Sequence, residues 1–320
     1  MKRIATTLKT LGHPDRLRVL ALLSRGELTV SELVHILDLS QPRITQYINS
    51  LEEAGLIERV REGSWVFSRL PQDGGTYSTL INTVLSTLPD NDTSLVQDRE
   101  KLAEVRAERA RQVDAFFASV ANNQEQLGHE YLPQADIEAA MLDCLPEAKL
   151  GTMIDLGTGS GRMLQVFAPH IEQGIGIDSS AEMLRVARHI LADTEDCQIS
   201  VQQADLKNTD FKSGCADLVT LHQVLHFLDD PILAVKEASR LLTPQGHLII
   251  TDFEHHENED FREHFSHRRL GFQDTEMQRF LKENALELET VLNVPSHKPN
   301  IPTVKIWHAR QPDNASSSIG

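Results

Sequence analysis

The sequence predicts an α/β chain in two parts, a small helical module closed by a β-hairpin and a larger doubly wound domain, and three observations predict it. Between His13 and Leu70, apolar residues recur three times at helical spacing and then alternate with polar ones around Glu62-Gly63. From Leu150 onward, short apolar runs end in glycine or acidic turns and alternate with helical stretches. The charge is also uneven. Residues 1–70 carry ten Lys or Arg against eight Asp or Glu, whereas the other 250 carry 21 against 39 and bring the net charge to −16. A mildly basic head on an acidic body suits a nucleic-acid-reading module on a protein that otherwise repels nucleic acid.

At 320 residues the chain exceeds the roughly 100–200 residues of one domain. No apolar run approaches the roughly 20 residues of a membrane span. The start, MKRIATTLKTLGHPDR, lacks the apolar stretch and small-residue cleavage site of a secretory signal, so the expected location is cytoplasmic, with no membrane partner. The three cysteines, Cys144, Cys197 and Cys215, have neither zinc-knuckle nor redox spacing and read as reduced structural thiols.

Pro14 opens the first helix, with Leu17, Leu20, Ala21 and Leu23 as its apolar stripe, and Gly26 closes it. A second helix is predicted over about Val30 to Leu37, with Leu33, Ile36 and Leu37 inward. After the tight Asp38-Leu39-Ser40 turn, Ser40 can cap a third helix, about Gln41 to Ala54, with Pro42 in its first turn. This is helix-turn-helix spacing. Ile44, Ile48 and Leu51 fall on one face and leave Ser40, Gln41, Arg43, Thr45, Gln46 and Asn49 outward. Gln and Asn can pair with adenine edges, Arg with guanine or phosphate, and Thr with backbone or a thymine methyl. A solvated helix face is the competing reading. The run ERVREGSWVFSRL, Glu58 to Leu70, then reads as a hairpin that would bring Arg59, Arg61 and Arg69 beside phosphates.

Through LGHPDRLRVLALL, LDLSQPRITQYINSLEEAGLIERVREG and WVFSRL, the segment from about Leu8 to Leu70 resembles the arsenic-repressor-like (ArsR) winged-helix family. The resemblance implies a winged helix-turn-helix, operator DNA as partner, a homodimer, and a transcriptional regulator, usually a repressor, released by an effector. Metal-sensing members commonly carry a cysteine pair where this chain has Thr29 and Ser31, which cannot supply thiolates, so metal sensing at that site is not expected. After residues 71–75, Tyr77, Leu80, Ile81, Val84, Leu85 and Leu88 predict an amphipathic helix, either for dimerisation or packed on its own domain. A charged helix from about Ser94 to Ala121, with Leu95, Leu102, Val105 and Phe116, reads as a connector also touching the C-terminal domain.

Residues 150–161, LGTMIDLGTGSG, predict a strand, a glycine loop and a helix from Arg162 to Ala168, in which glycines let backbone approach a ligand. Asp155 closes the strand before Gly157, Thr158, Gly159 and Gly161. A second strand, Gly174 to Ile177, ends in Asp178 seventeen residues after Gly161, with Ser179 beside it. An acid there can accept from both ribose hydroxyls in either an NAD or an S-adenosylmethionine site. A third strand ends at Asp205-Leu206, where the acid suits an adenine amino group, and further strands cover Asp217 to His222 and Gly246 to Asp252.

This order of DLGTGSG, GIDSS, QADL, ADLVTLHQVLHFLDDP and LTPQGHLIITDF resembles class I S-adenosylmethionine-dependent methyltransferases from about Ala135 to Ala309. The resemblance implies a Rossmann-like domain in which Asp155, Gly157, Thr158, Gly159 and Gly161 border the methionine part and ribose of S-adenosylmethionine or S-adenosylhomocysteine. Asp178 would hold the ribose hydroxyls, Asp205 and Leu206 the adenine, and His222 the pocket wall. No catalytic residue is legible: His222 and His226 are candidate bases, with pocket-wall or structural roles the preferred reading. The histidines His255, His256, His264 and His267 read as a polar lid rather than a metal centre, with His264 and His267 sharing a helix face.

The expected division is 1–72 winged helix, 73–134 dimerisation helix and connector, 135–310 methyltransferase-like domain and 311–320 disordered tail. The fused arrangement resembles bacterial regulators of the methionine cycle, some of them responsive to S-adenosylhomocysteine. Two functions stand: a regulator whose methyltransferase-like domain binds the nucleoside as effector, and an active methyltransferase on a small-molecule acceptor with an autoregulatory DNA-binding domain.

Overall fold

The computed structural model describes residues 2–62, 65–71, 77–122, 132–194, 196–296, 298 and 300–313. It divides into two compact units, Met1–Arg111 and Gln112–Gly320.

The first unit contains α1 (Lys2–Leu11), α2 (Pro14–Leu23), β1 (Leu28–Thr29), α3 (Val30–Leu37), α4 (Gln41–Glu53), the hairpin β2 (Glu58–Glu62) and β3 (Trp65–Arg69), α5 (Ser78–Ser86) and the start of α6 (Thr93–Asn122). Strands β2 and β3 pair antiparallel from Glu58↔Arg69 to Glu62↔Trp65, and β1 adds to the other side of β3. The predicted turn at Gly63 lies outside the described residues. Ile44, Ile48 and Leu51 of α4 are fully buried with Leu33 and Ile36 of α3 and Val19 and Leu20 of α2, as the helical periodicity dictates. Ile81 of α5 and Leu102 in the first part of α6 join the same cluster. Replacing Ile48 by Ala would open a cavity under the exposed face of α4. It is expected to destabilise this unit by about 2–5 kcal/mol, measured as a lower first midpoint in urea unfolding of the full chain.

Several local expectations change. Helix α1 precedes the predicted start at His13, and the two-residue β1 had no periodicity by which to be seen. The buried stripe of α2 is Val19, Leu20, Leu22 and Leu23, so Leu17 and Ala21 sit at its border rather than within it. Ser40 occupies the N-cap position of α4 but its hydroxyl makes no cap bond. The side-chain cap belongs to α3: the Glu32 amide donates to Thr29 Oγ1 at 3.3 Å, and the Thr29 amide donates to the Glu32 carboxylate at 2.8 Å. Thr29, which offers no thiolate, thus serves as one half of a capping box.

The second unit contains α7 (Gln134–Leu142), β4 (Leu150–Leu156), α8 (Arg162–Phe167), β5 (Ile171–Asp178), α9 (Ala181–Ile190), β6 (Gln198–Gln203), β7 (Ala216–His222), α10 (Pro231–Leu241), β8 (Leu242–Phe253), α11 (Asp260–Phe265), α12 (Asp274–Glu283), β9 (Glu287–Val294) and β10 (Val304–Arg310). Its sheet has the order β6-β5-β4-β7-β8-β10-β9, with β6 and β9 at the edges. Strands β4 to β8 run parallel, and β10 is antiparallel to both its neighbours. Both faces are covered: Val235 of α10 and Met277 and Phe280 of α12 lie in one apolar layer, and Met163 of α8, Ala187 of α9 and Met141 of α7 in the other. The chain winds outward from β4 through β5 to β6, then restarts beside β4 with β7. That reversal opens a crevice at the carboxyl ends of β4 and β7, where ligands bind in open parallel sheets.

No described helix is long and apolar enough to cross a membrane. The predicted shared face of His264 and His267 is corrected: α11 ends at Phe265, Ser266 turns left-handed (φ 58°), and His267 goes into the interior while His264 stays exposed. Of the tail predicted over 311–320, residues 314–320 lie outside the described residues.

Candidate functional site

Two surfaces collect the residues singled out by sequence. On α4 the buried Ile44–Ile48–Leu51 stripe forces the opposite face outward, and Gln41, Thr45, Gln46 and Asn49 line one groove with Pro42 and Ser50. Arg43 is on this helix too, half exposed, but its guanidinium is held by Tyr47 and Asp15. Of the hairpin arginines, Arg61 is exposed, Arg59 pairs with Glu52, and Arg69 differs from expectation. Its Nε donates to Glu58 at 2.6 Å and its Nη1 to Glu27 at 3.1 Å, so Arg69 ties the hairpin to the turn before β1 rather than offering itself to phosphate.

The second surface is the crevice. Strand β4 delivers Asp155, and the loop that follows is pinned to the neighbouring strand: the Gly157 and Thr158 amides both donate to the Ile177 carbonyl at 2.8 Å. Gly157 (φ 81°) and Gly161 (φ 80°) have left-handed backbones, and a Cβ on either would lie 2.5 Å from Val224 or 2.6 Å from Leu191. Only glycine allows this close a turn. Asp178, at the end of β5, accepts from the Gly159 amide through Oδ2 and from the Ser180 amide through Oδ1, each at 2.8 Å. The Ala204 amide donates to the Asp178 carbonyl at 3.1 Å, which brings the end of β6 alongside. Beyond it, Leu206 packs on the core, while Asp205 is exposed and accepts from the Lys207 amide at 2.9 Å. Ser179 is exposed, its carbonyl accepting from the Gln203 side chain.

Asp155 is a buried acid at the head of the glycine loop. It is 1% exposed. Thr220 of β7 donates to its Oδ1 at 2.6 Å, while Oδ2 is buried without a hydrogen-bond partner. Burial pushes its pKa up to about 6, against the pull of the Thr220 hydroxyl and, more weakly, of the Thr158 hydroxyl in the glycine loop, with the Asp178 charge adding to the rise. An unsatisfied carboxylate oxygen beside positive-φ glycines is chemically suited to a donor, best a cationic one, carried by a ligand in the loop.

The two candidate bases part company. His222, at the end of β7, is half-buried at the crevice. His226 is 2% exposed, its Nδ1 lies 2.8 Å from Asp252 Oδ1, and its ring stacks on His267 with centroids 3.8 Å apart. Burial holds His267 well below the usual histidine range and takes His256 down to about 4, so both are neutral imidazoles at neutral pH. Residues not singled out by sequence hold the site together: Thr220 on Asp155, Asp252 on His226, and Glu138 of α7, which receives Arg162, the first residue of α8, through two bonds of 2.7 and 2.8 Å. Each joins positions distant in sequence. The one local signal was an aspartate closing a buried strand, shared by Asp155, Asp178 and Asp252.

Residues 13–59 match the model of the bacterial regulatory protein arsR family, and residues 154–250 match a methyltransferase domain. The chain is 37% identical over 99 residues to the arsenic resistance transcriptional regulator of Pseudomonas putida, covering 30% of this chain and 75% of that protein. It is 43% identical over 70 residues to the biofilm growth-associated repressor of Agrobacterium fabrum, covering 22% of this chain but only 60% of the relative. An uncharacterised methyltransferase of Bacillus subtilis is 28% identical over 108 residues, or 34% of this chain and 42% of that protein. Among solved structures, the N-methyltransferase NodS of Bradyrhizobium japonicum, in complex with S-adenosylhomocysteine, covers 63% of this chain and 99% of its own at 17% identity and a TM-score of 0.53. At that identity the likeness establishes the fold of the second unit.

Proposed function

Because the chain belongs to the arsR family of bacterial regulatory proteins and joins that DNA-binding module to a methyltransferase domain, we propose that an S-adenosyl nucleoside bound at the glycine loop is its effector. In this reading a homodimer holds operator DNA in the cytoplasm through the α4 groove, and S-adenosylmethionine or S-adenosylhomocysteine shifts the balance between bound and free forms. The observation that carries it is the buried Oδ2 of Asp155. The ammonium of the nucleoside's amino-acid part supplies the missing donor, Asp178 at the end of β5 receives the ribose hydroxyls, and Asp205 and Leu206 flank the adenine. The complex of NodS with S-adenosylhomocysteine supports the same assignment by fold.

One observation favours a second reading. The carboxylate of Asp252 fixes the Nδ1 side of His226, which leaves Nε2 with the lone pair a general base uses. S-adenosylmethionine would supply an activated methyl group, and this chain's part would be to align and desolvate a small-molecule acceptor. Burial of His226 against His267 and Phe227 speaks for a structural pair and so for the sensor.

The test is operator binding at fixed salt, using the full chain, its own upstream DNA and separate titrations of the two nucleosides. At least one nucleoside is expected to change DNA affinity several-fold. Tight DNA binding indifferent to both, together with methyl transfer from labelled S-adenosylmethionine, would favour the enzyme.

A further inference from the structure

Helix α4 carries a single basic residue, Arg43, and its guanidinium is fixed from behind. Its Nε donates to the Tyr47 hydroxyl at 2.7 Å, its Nη2 donates to Asp15 Oδ2 at 3.0 Å, and the Tyr47 hydroxyl donates to that same oxygen at 2.9 Å. Tyr47 is buried, with the His13 ring 5.0 Å away, so the triangle has a rigid corner. Of the five N–H donors on a guanidinium, this commits two and leaves three, including both on Nη1, for nucleic acid.

The chain of charges continues inward. The other oxygen of Asp15 lies 3.4 Å from Arg18 Nη1, a weak contact, because Arg18 is held elsewhere. Its Nε and Nη2 donate side-on to the two oxygens of Asp98 on α6, at 2.8 and 2.7 Å. The Asp98 side chain is only 3% exposed. Four alternating charges therefore run from the interior of α6 through α2 to the outer face of α4. With Asp98 in place, Arg18 makes its two short bonds there and only the 3.4 Å contact to Asp15, whose Oδ2 is left to Arg43. Without it, the nearest carboxylate to Arg18 is Asp15, and the two arginines compete for one partner.

We propose that Asp98 is a positioning residue for DNA reading: by occupying Arg18 it leaves Asp15 to hold Arg43 in the orientation that meets the operator. This rests on the DNA-binding reading above. Asp98 itself touches no DNA; it acts through two intervening side chains. It also belongs to α6, the helix within which the two compact units divide, so a displacement of α6 changes the grip on Arg43.

The test is a double-mutant cycle on operator affinity with the full chain: Asp98→Asn, Arg43→Ala and both. Asp98→Asn is expected to weaken binding about 5–10-fold when Arg43 is present and less than about twofold when it is Ala, from the coupling typical of residues in one ion-pair network. Equal factors in both backgrounds overturn the proposal. If Asp98→Asn fails to fold, Asp98→Glu replaces it in the same cycle, and its loss must again vanish with Arg43→Ala. A readout without DNA separates this proposal from the function it rests on. The Arg43 Nε–H resonance, identified by its absence in Arg43→Ala, is expected to shift in Asp98→Asn even if no operator is bound. An unmoved resonance would sink the coupling, whereas wild-type indifference to upstream DNA would sink the DNA-binding reading alone.

Discussion

Asp178→Ala is expected to cost at least about 100-fold in nucleoside affinity, measured by calorimetry on the full chain, while helical content stays unchanged. Asp178 closes β5 and pins the loop through the Gly159 amide and the turn into α9 through the Ser180 amide, and in the proposed site the same carboxylate receives the two ribose hydroxyls. Hydrogen bonds to a charged group contribute about 1.5–3 kcal/mol each, so losing both accounts for about two decades or more, with a further loss because the Gly159 end of the loop is no longer pinned. Helix α9 survives because the Ser180 hydroxyl still accepts from the Met183 amide at 3.3 Å. An affinity within threefold of wild type would remove Asp178 from the site.

Asp155→Asn is expected to move stability and binding in opposite directions. The folded pKa of Asp155, about 6, stands above its ordinary value of 3.8. A carboxylic acid raised on folding contributes stability below the unfolded value and loses it as pH rises through the folded one. At pH 7.5 the second unit therefore carries an ionised buried group at a cost on the order of 2–3 kcal/mol. The Asn variant avoids that cost, so its unfolding midpoint at pH 7.5 is expected to exceed wild type, and the difference should close as pH falls from about 6 to about 4. Binding goes the other way: without the charge, the ammonium of the nucleoside has no counter-ion, and affinity is expected to fall at least about tenfold. Wild-type affinity should itself drop about tenfold per pH unit below 6, as protons compete for Oδ2, and the variant should lack this dependence. A variant less stable at pH 7.5, or one that binds as well as wild type, contradicts the account.

Periodicity and turn chemistry made much of this molecule legible. The spacing of Ile44, Ile48 and Leu51 alone orients α4, and with it the groove lined by Gln41, Thr45, Gln46 and Asn49. The strand-end acids Asp155 and Asp178 were legible because a buried strand rarely ends in a charge without a reason. What stayed hidden was pairing across distance. Arg43 looked like a free reader because Asp15 is 28 residues away, and nothing pointed to the Arg18–Asp98 pair because its members are 80 residues apart. Arg69 was misjudged for the same reason. His267 was misplaced by one left-handed residue, Ser266, which no helical periodicity foretells.

The two edges of the large sheet are unequally guarded. On β9, Glu289 is exposed and lies within 3.5 Å of Arg310 and 3.8 Å of His308, so charge sits at that border. The other edge, β6, reads QISVQQ and carries no charge at all. Uncharged edge strands are templates for strand addition. At β6 the collective repulsion of a chain at −16 is therefore expected to oppose strand addition, with Arg188, which reaches the Val201 carbonyl at 3.5 Å, as a local charge beside it. Such repulsion weakens as the Debye length contracts from about 10 Å at 0.1 M salt to about 3 Å at 1 M. Colloidal stability, unlike folding, is thus a property of the whole acidic body and of the medium that surrounds it.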